Sequence, residues 1–508
     1  MKSLIGWACL LILVLQAGCS QSKSDAAKTS LPPQAKQSSR GGSLPNVLII
    51  LSDDQSAPHL GCYGNKDIHT PNIDKLASEG IRFDRAYQTA PQCAPARGAM
   101  LTGRHTIDIG MIRFSAALPR DVVMYPELLR AQKGYYAGLC GRSYHLNGNL
   151  YNLPNVKPHL SEEDFPNIPD RLDYVKTAPG DKDQDAPLRA ETIRQFQEFL
   201  GKVPKGKPFF LQLCWHDPHR PFSTDELPYK HDPSKLTLPP FYPDSPAIRA
   251  DLAAYYDECA RMDGNTGTVL KILEEHGLKD NTIVIFMGDN GASQYRGKGT
   301  LNELGIHVPL IVRWPGVVKP GSSSSGLVSG EDLAPTILQI AGAEAPRNLT
   351  GVSFLDMLKG SSAKSKRNEM ISERGPHASS LPRGSNSFDL GRAIVTDRYK
   401  LIYNVTWQLP YLPVDFNLDN VQALEKEGKL EPKFKQLYLA EHRPMFELYD
   451  LQQDPQEMNN LAGKNPTKQI ERDLKGRLAA WMIHHRDFVP LPVTGQQEKP
   501  NPKNEAAE

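Results

Sequence analysis

Two pairs of oxygen-bearing residues follow two of the most apolar short runs in the sequence. "NVLIIL" (46–51) leads into Ser52-Asp53-Asp54-Gln55, and "TIVIFM" (282–287) leads into Gly288-Asp289-Asn290-Gly291. Taken singly, each pair has the composition of a turn or a helix cap. Together they put three carboxylates and an amide behind two buried strands. Such a set repels itself unless a hard cation such as Ca²⁺ or Mg²⁺ neutralises it. A third stretch, "PQCAPARGAMLTGRH" (91–105), holds a lone cysteine, Cys93. By itself that thiol could be core filler, a nucleophile, a metal ligand or half of a disulfide. Pro95 suits the first turn of a helix and Gly103 its end, so Cys93 falls at a helix N-terminus, where free N–H groups favour an anion. Arg97, one turn on, adds a positive charge on the same face. The setting would activate a thiol, and would equally hold an anionic ester before a nucleophile. Acids, a cation site and an anion cradle suit hydrolysis at phosphorus or sulfur.

These residues need a scaffold that brings distant segments together. Both runs are continuously aliphatic rather than alternating, as strands covered on both faces must be. "PFFLQLCW" (208–215) and "VPLIVRW" (308–314) are weaker candidates of the same kind. Helical patterns fall at 72–80, 125–134, 186–202 and 248–277. Strands alternating with helices predict an α/β domain with a mostly parallel sheet, whose ligands gather outside the carboxyl ends of the strands. After about residue 365, "RAIVTDRYKLIYN" and "MFELYDLQQDPQ" read as short half-exposed strands, and "KQIERDLKGRLAAWMIHHRD" as an amphipathic helix. The expected organisation is a catalytic domain over 44–365, a smaller α+β domain over 366–490 and a tail over 491–508.

With 59 basic and 58 acidic residues among 508, bulk charge gives no case for nucleic acid or an anionic membrane surface, so an anionic substrate needs a local site. The seven cysteines (9, 19, 62, 93, 140, 214 and 259) lack paired metal-type spacing, which argues against zinc and leaves one disulfide open. Lys2, an apolar stretch and small residues up to Cys19 read as an export signal over 1–19, and the polar residues 20–43 as a tether. "LQAGC" resembles a bacterial lipobox in which Cys19 would be lipidated, departing from it at Gln16. The expectation is an exported protein, periplasmic or at the cell surface, with membrane anchoring through an N-terminal lipid.

Cys93-Ala94-Pro95-Ala96-Arg97, followed by Leu101-Thr102-Gly103-Arg104, resembles the signature of the type I sulfatases, with Ala96 where serine is common. The resemblance spans roughly 44–490. It implies an alkaline-phosphatase-like fold, a mostly parallel sheet sandwiched by helices with a smaller C-terminal α+β domain. It also implies that a maturation enzyme oxidises Cys93 to Cα-formylglycine, whose hydrate is the nucleophile. Asp53, Asp54, Asp289 and Asn290 then correspond to calcium ligands, and Lys298 to the sulfate-binding lysine. "GRSYHLNG" supplies His145, with Arg142 where lysine is usual and a spacing one residue longer. "HDPHRPF" supplies His219 to protonate the leaving group. His216 fits packing or substrate contact as well as catalysis.

Segments such as "KPFFLQLCWHDPHR" and "QLPYLPVDFN" are similar to the N-sulfoglucosamine sulfohydrolase (heparan sulfamidase) group. That likeness implies a sulfated saccharide substrate cleaved at an ester or sulfamate. A phosphonate monoester hydrolase or phosphodiesterase, and a non-catalytic glycan-binding lipoprotein, are the rival readings. Glu373, Arg374 and His377 read first as a surface loop and second as substrate contacts.

Overall fold

The computed structural model describes residues 44–114, 116–142, 145–147, 168–177, 185–223, 227–362, 364–377 and 388–492. The expected signal, lipobox and tether, with Cys9 and Cys19, and the tail from 493 lie outside them.

Four elements of the predicted kind carry the centre of the molecule. β1 (Asn46–Ser52) is followed by the short β2 (Ile81–Phe83) and β3 (Ala86–Tyr87), then β4 (Tyr136–Gly141), β5 (Tyr174–Val175) and β6 (Phe209–Cys214). β7 (Thr282–Gly288), β8 (Leu310–Arg313), β9 (Ser322–Ser324) and β10 (Val328–Ser329) complete this part. Eight of them form one sheet in the order β5-β4-β6-β1-β7-β8-β2-β9. β1 lies between β6 and β7, parallel to both.

Alternation along β1 divides the core in two. Val47, Ile49 and Leu51 join Ile283, Ile285 and Met287 on one face, against helices Tyr125–Lys133 and Leu333–Ala341. Leu48 and Ile50 join Val284 and Phe286 on the other, against helices Asp185–Lys202 and Pro246–Glu275. Apolar burial on both faces is what the unbroken aliphatic runs require.

One expectation needs correction. "VPLIVRW" does form a buried strand, but β8 runs antiparallel to β7 and to β2. Between β7 and β8 the chain builds only the single turn of helix Glu303–Ile306. A parallel return needs a crossover, usually a full helix; here the chain doubles back as a loop, and that loop carries Asn290 and Lys298.

The C-terminal layer is an antiparallel sheet of β11 (Glu369–Arg374), β12 (Gly391–Thr396), β13 (Tyr399–Asn404) and β14 (Phe446–Asp450) in that order. Its strands are more buried than the half-exposed pattern predicted. Ile394, Leu401 and Leu448 pack on Leu474, Leu478 and Met482 of helix Lys468–His484. On the opposite face Met370, Ala393 and Ile402 meet Tyr87, Leu301 and Ile306 of the larger layer.

Candidate active site

β1 and β7 are in register, with Ser52 opposite Gly288, so the acids that follow them emerge side by side. The Asp54 backbone N–H donates to Asp289 Oδ1 (3.1 Å), as does that of Asn290 (2.7 Å). Asn290 Nδ2 donates to Asp54 Oδ1 at 2.8 Å. All four residues are fully buried.

Helix Cys93–Thr102 begins at Cys93 and ends on Gly103 at φ 69°, as proline and glycine predicted. Its first residue points at the acids, with Cys93 Sγ 3.5 Å from Asp53 Oδ1 and 3.8 Å from Asp54 Oδ1. Arg97 lies one turn on, its guanidinium 2.8 Å from Asp289 and 3.2 Å from Asp53. Lys298 Nζ arrives from the β7–β8 loop, 2.8 Å from Asp54 Oδ1. Arg142, just beyond β4, puts Nε 3.1 Å from Asp53. His219, beyond β6, has Nε2 3.9 Å from Asp54. Four strand ends and one helix start thus converge.

A family model for sulfatases matches residues 45–343, and one for the C-terminal region of N-sulphoglucosamine sulphohydrolase matches 291–419. The protein is a member of the sulfatase family. It is 30% identical to an ulvan-active sulfatase of Formosa agariphila over 94% of this chain and 88% of that protein. Against human N-sulphoglucosamine sulphohydrolase the identity is 28%, over 90% and 94%. Among solved structures, a 2-O GAG sulfatase aligns with a TM-score of 0.64 at 21% identity, over 87% of this chain and 93% of the other. The phosphonate monoester hydrolase of Agrobacterium radiobacter aligns at 0.66 and 20%, over 87% and 96%. These likenesses give the fold, which is alkaline-phosphatase-like, and the family makes the protein a sulfuric ester hydrolase.

The charges in this sulfatase are tightly constrained. Burial alone would raise Asp53, but Arg142 and Arg97 outweigh it and hold the carboxyl well below its usual range. Asp54 is pushed up to about 8, by burial first, relieved in part by Lys298 and worsened by Asp53 and Asp415. Burial also drives the Cys93 thiol well above its ordinary value, and Lys298 only partly offsets this against the acids. The helix N-terminus therefore does not make Cys93 a reactive thiolate, contrary to one sequence expectation. Desolvation beside three carboxylates overrides it.

A cation fits the acid cluster. Asp53, Asp54, Cys93 and His219 each offer a ligand atom within 4.8 Å of the others. Asn290 Oδ1 is buried and receives no hydrogen bond, and a buried oxygen without a donor suits a hard ion. Asp289 is more committed, with Oδ2 accepting from Arg97 Nε at 2.9 Å.

His145 is half-buried on the same side, at φ 53° and edge-on to Phe114. Burial, then Arg97 and Arg142, hold it well below its ordinary pKa. His219 is likewise held down by burial, Arg142 and Lys298, so in the free enzyme its imidazole is neutral instead of titrating near neutrality. His216 lies with its ring 5.6 Å from that of His219, and burial lowers it to about 4.

Sequence reasoning misjudged one segment. Glu373 and Arg374 end β11 in the interior. Glu373 accepts from Thr106 Oγ1 (2.8 Å) and the Ile107 backbone (3.1 Å), while Arg374 pairs with Asp389 at 3.0 Å. Both are structural. His377 does reach the site, 3.6 Å from Asp415. Asp415, which touches Lys298 at 2.6 Å and His219 at 3.5 Å, went unremarked, because nothing in "VDFN" signals that it folds back over the β7–β8 loop.

The other described cysteines, Cys62, Cys140, Cys214 and Cys259, are free, as is Cys93, so the described residues hold no disulfide.

Proposed function

We propose that this sulfatase removes sulfate, as ester or sulfamate, from a sulfated carbohydrate, with N-sulfoglucosamine of heparin-type glycans as the candidate group. The observation that carries the reading is the cationic ring around Cys93: Arg97, Arg142 and Lys298 surround a helix N-terminus that faces an acid cluster. Similarity to an ulvan-active sulfatase and to N-sulphoglucosamine sulphohydrolase supports a glycan substrate. A further solved structure of this fold holds D-glucosamine-2-N,6-O-disulfate as its substrate.

Oxidised to formylglycine, residue 93 would supply a hydrated aldehyde as nucleophile toward sulfur, and Ca²⁺ held by Asp53, Asp54, Asp289 and Asn290 would supply Lewis-acid charge beside it. Lys298 and Arg142 bind the sulfate oxygens and offset charge that develops on them. Arg97, locked between Asp53 and Asp289, favours the ionised form of both carboxylates and holds them in position. An anionic substrate cancels the field of Arg142 and Lys298, so His219 Nε2 can hold a proton and pass it to the departing oxygen or nitrogen. His145 accepts the proton that is released when sulfate departs. Water is excluded from the buried acids, which strengthens each of these interactions.

The test has two parts. Mass spectrometry of the peptide containing residue 93 should show the aldehyde in protein matured with the oxidising enzyme. Sulfate release from defined heparin, chondroitin and fucan saccharides should then separate N- from O-sulfate. A phosphonate monoester hydrolase shares the fold, so phosphoesters belong in the same panel; a strong preference for them would overturn the reading. We also propose export with lipidation at Cys19, which predicts that Cys19→Ala moves the protein from the membrane to the soluble fraction.

A further inference from the structure

The residues that the proposed chemistry uses divide by exposure. The side chains of Asp53, Asp54, Arg97 and Lys298 are sealed from solvent, whereas Arg142, His219, His377 and Asp415 form the rim, with 16% to 28% exposure for the last two. Three of those rim groups are bases or cations. Asp415 is the acid that meets both Lys298 and His219. A carboxylate at the mouth of an anion site opposes the anion it serves, so its position calls for a compensating interaction with another part of the substrate.

The fold fixes Asp415 there. Val414 is buried against the β7–β8 loop, its carbonyl accepting from Ser293 Oγ at 3.0 Å. A Cβ on Gly299, next to Lys298, would lie 2.2 Å from Val414. Asp415 itself stands at φ 64°, a conformation that costs a non-glycine residue energy and persists when its surroundings enforce it. The segment lies beyond residues 45–343, the stretch matched by the sulfatase model and the one holding every residue assigned above to the chemistry, and within 291–419, the stretch matched by the C-terminal model of N-sulphoglucosamine sulphohydrolase.

Asp415 opens onto a cavity of about 490 Å³ lined by Arg220, Tyr295, Phe416, Asn417 and Asn420, a size typical of small-ligand clefts. Its wall is rigid. Arg220 makes a paired contact with Asp251 and lies over Phe222, while Tyr295 packs edge-on against Phe416.

We infer that Asp415 is a specificity-determining residue. Its carboxylate accepts hydrogen bonds from the hydroxyl or amino group next to the sulfated position, on a sugar ring seated in this cavity. The inference rests on the sulfatase reading above, because it is the distance to Lys298 and His219 that sets Asp415 beside the leaving atom.

Asp415→Asn tests this, since asparagine keeps the volume and tolerates positive φ; an unchanged melting temperature confirms the fold. Matured wild type and variant are compared on glucosamine N-sulfate and on 4-nitrophenyl sulfate, which lacks a sugar ring. The ratio of kcat/KM for the saccharide over the aryl sulfate should fall at least about tenfold, the loss of a hydrogen bond to a charged group, with the change mainly in saccharide KM. Equal losses on both substrates would make Asp415 merely the counter-ion of Lys298 and overturn the inference. Wild type releasing sulfate from none of the heparin, chondroitin and fucan saccharides would overturn the carbohydrate-sulfatase reading and this inference with it.

Discussion

Lys298 has no exposed surface and pairs with Asp54 and Asp415. Burial would lower its pKa, but these acids raise it well above the usual value, so it is a permanent cation at the proposed sulfate position. Lys298→Ala should lower kcat about 10²–10³-fold, the cost of deleting one preorganised charge-stabilising group; sulfate release measures it. The acid cluster makes a second demand. Asp54 near 8 means that, without a cation, part of the cluster takes up protons at neutral pH. Ca²⁺ should therefore displace protons and raise the melting temperature of chelated protein, by about 2.7 kcal/mol of stability at a hundredfold excess over Kd. Asp289→Ala should stay folded, lose that response and lose turnover, as calorimetry and assay would show. Full activity after exhaustive chelation would contradict both expectations.

The elements matter chiefly through the turn between β7 and β8. A Cβ on Gly291 would lie 1.9 Å from the Leu304 carbonyl oxygen, a contact of backbone with backbone that no side-chain shift can relieve. Gly291→Ala should destabilise by about 1–3 kcal/mol and lower activity further by displacing Asn290 and Lys298 together; denaturant titration and kcat report the two effects. The second layer has its own weak point. Leu478 is fully buried between helix Lys468–His484 and the antiparallel sheet, and Leu478→Ala should cost about 2–5 kcal/mol. Arg374 of that sheet donates to the Leu412 carbonyl at 3.4 Å, three residues before Asp415, so loosening of the sheet should raise saccharide KM before it touches aryl sulfate turnover.

Across the whole molecule, two buried histidines bound the stable pH range. His59 lies edge-on between Tyr255 and Tyr256, and burial pulls it down to about 3. A depressed pKa contributes stability that is present above the unfolded value, near 6.5, and lost as pH falls toward 3. His105 behaves oppositely. Burial would lower it, but Glu331 and Glu373 raise it, so its contribution is present below the unfolded value and lost as pH climbs through the raised one. Stability measured by denaturant should decline from pH 6.5 to 4 with a component of about 1.4 kcal/mol per pH unit that His59→Phe removes.

The linear sequence was enough for the family, the helix that starts at Cys93 and the two acid pairs. A helix start, a glycine stop and unbroken aliphatic runs are local features, written by propensity and by burial on both faces of a strand. The motif around Cys93 carried the family resemblance because its residues are near neighbours in the chain. Short or glycine-containing strands such as β4 and β9 gave no such signal, and the reversed direction of β8 depended on what its loop lacked. The depth of the C-terminal sheet was equally hidden, since a strand does not reveal what will cover its second face. Asp415 is the clearest case. Lys298 and His219, which it meets in the site, are more than a hundred residues away, and only tertiary packing against Ser293 and Gly299 brings its carboxylate to Lys298. The state of the Cys93 thiol was likewise set by packing: a helix N-terminus alone lowers a thiol pKa, but burial among three acids raises it, because desolvation and like charge outweigh a partial dipole.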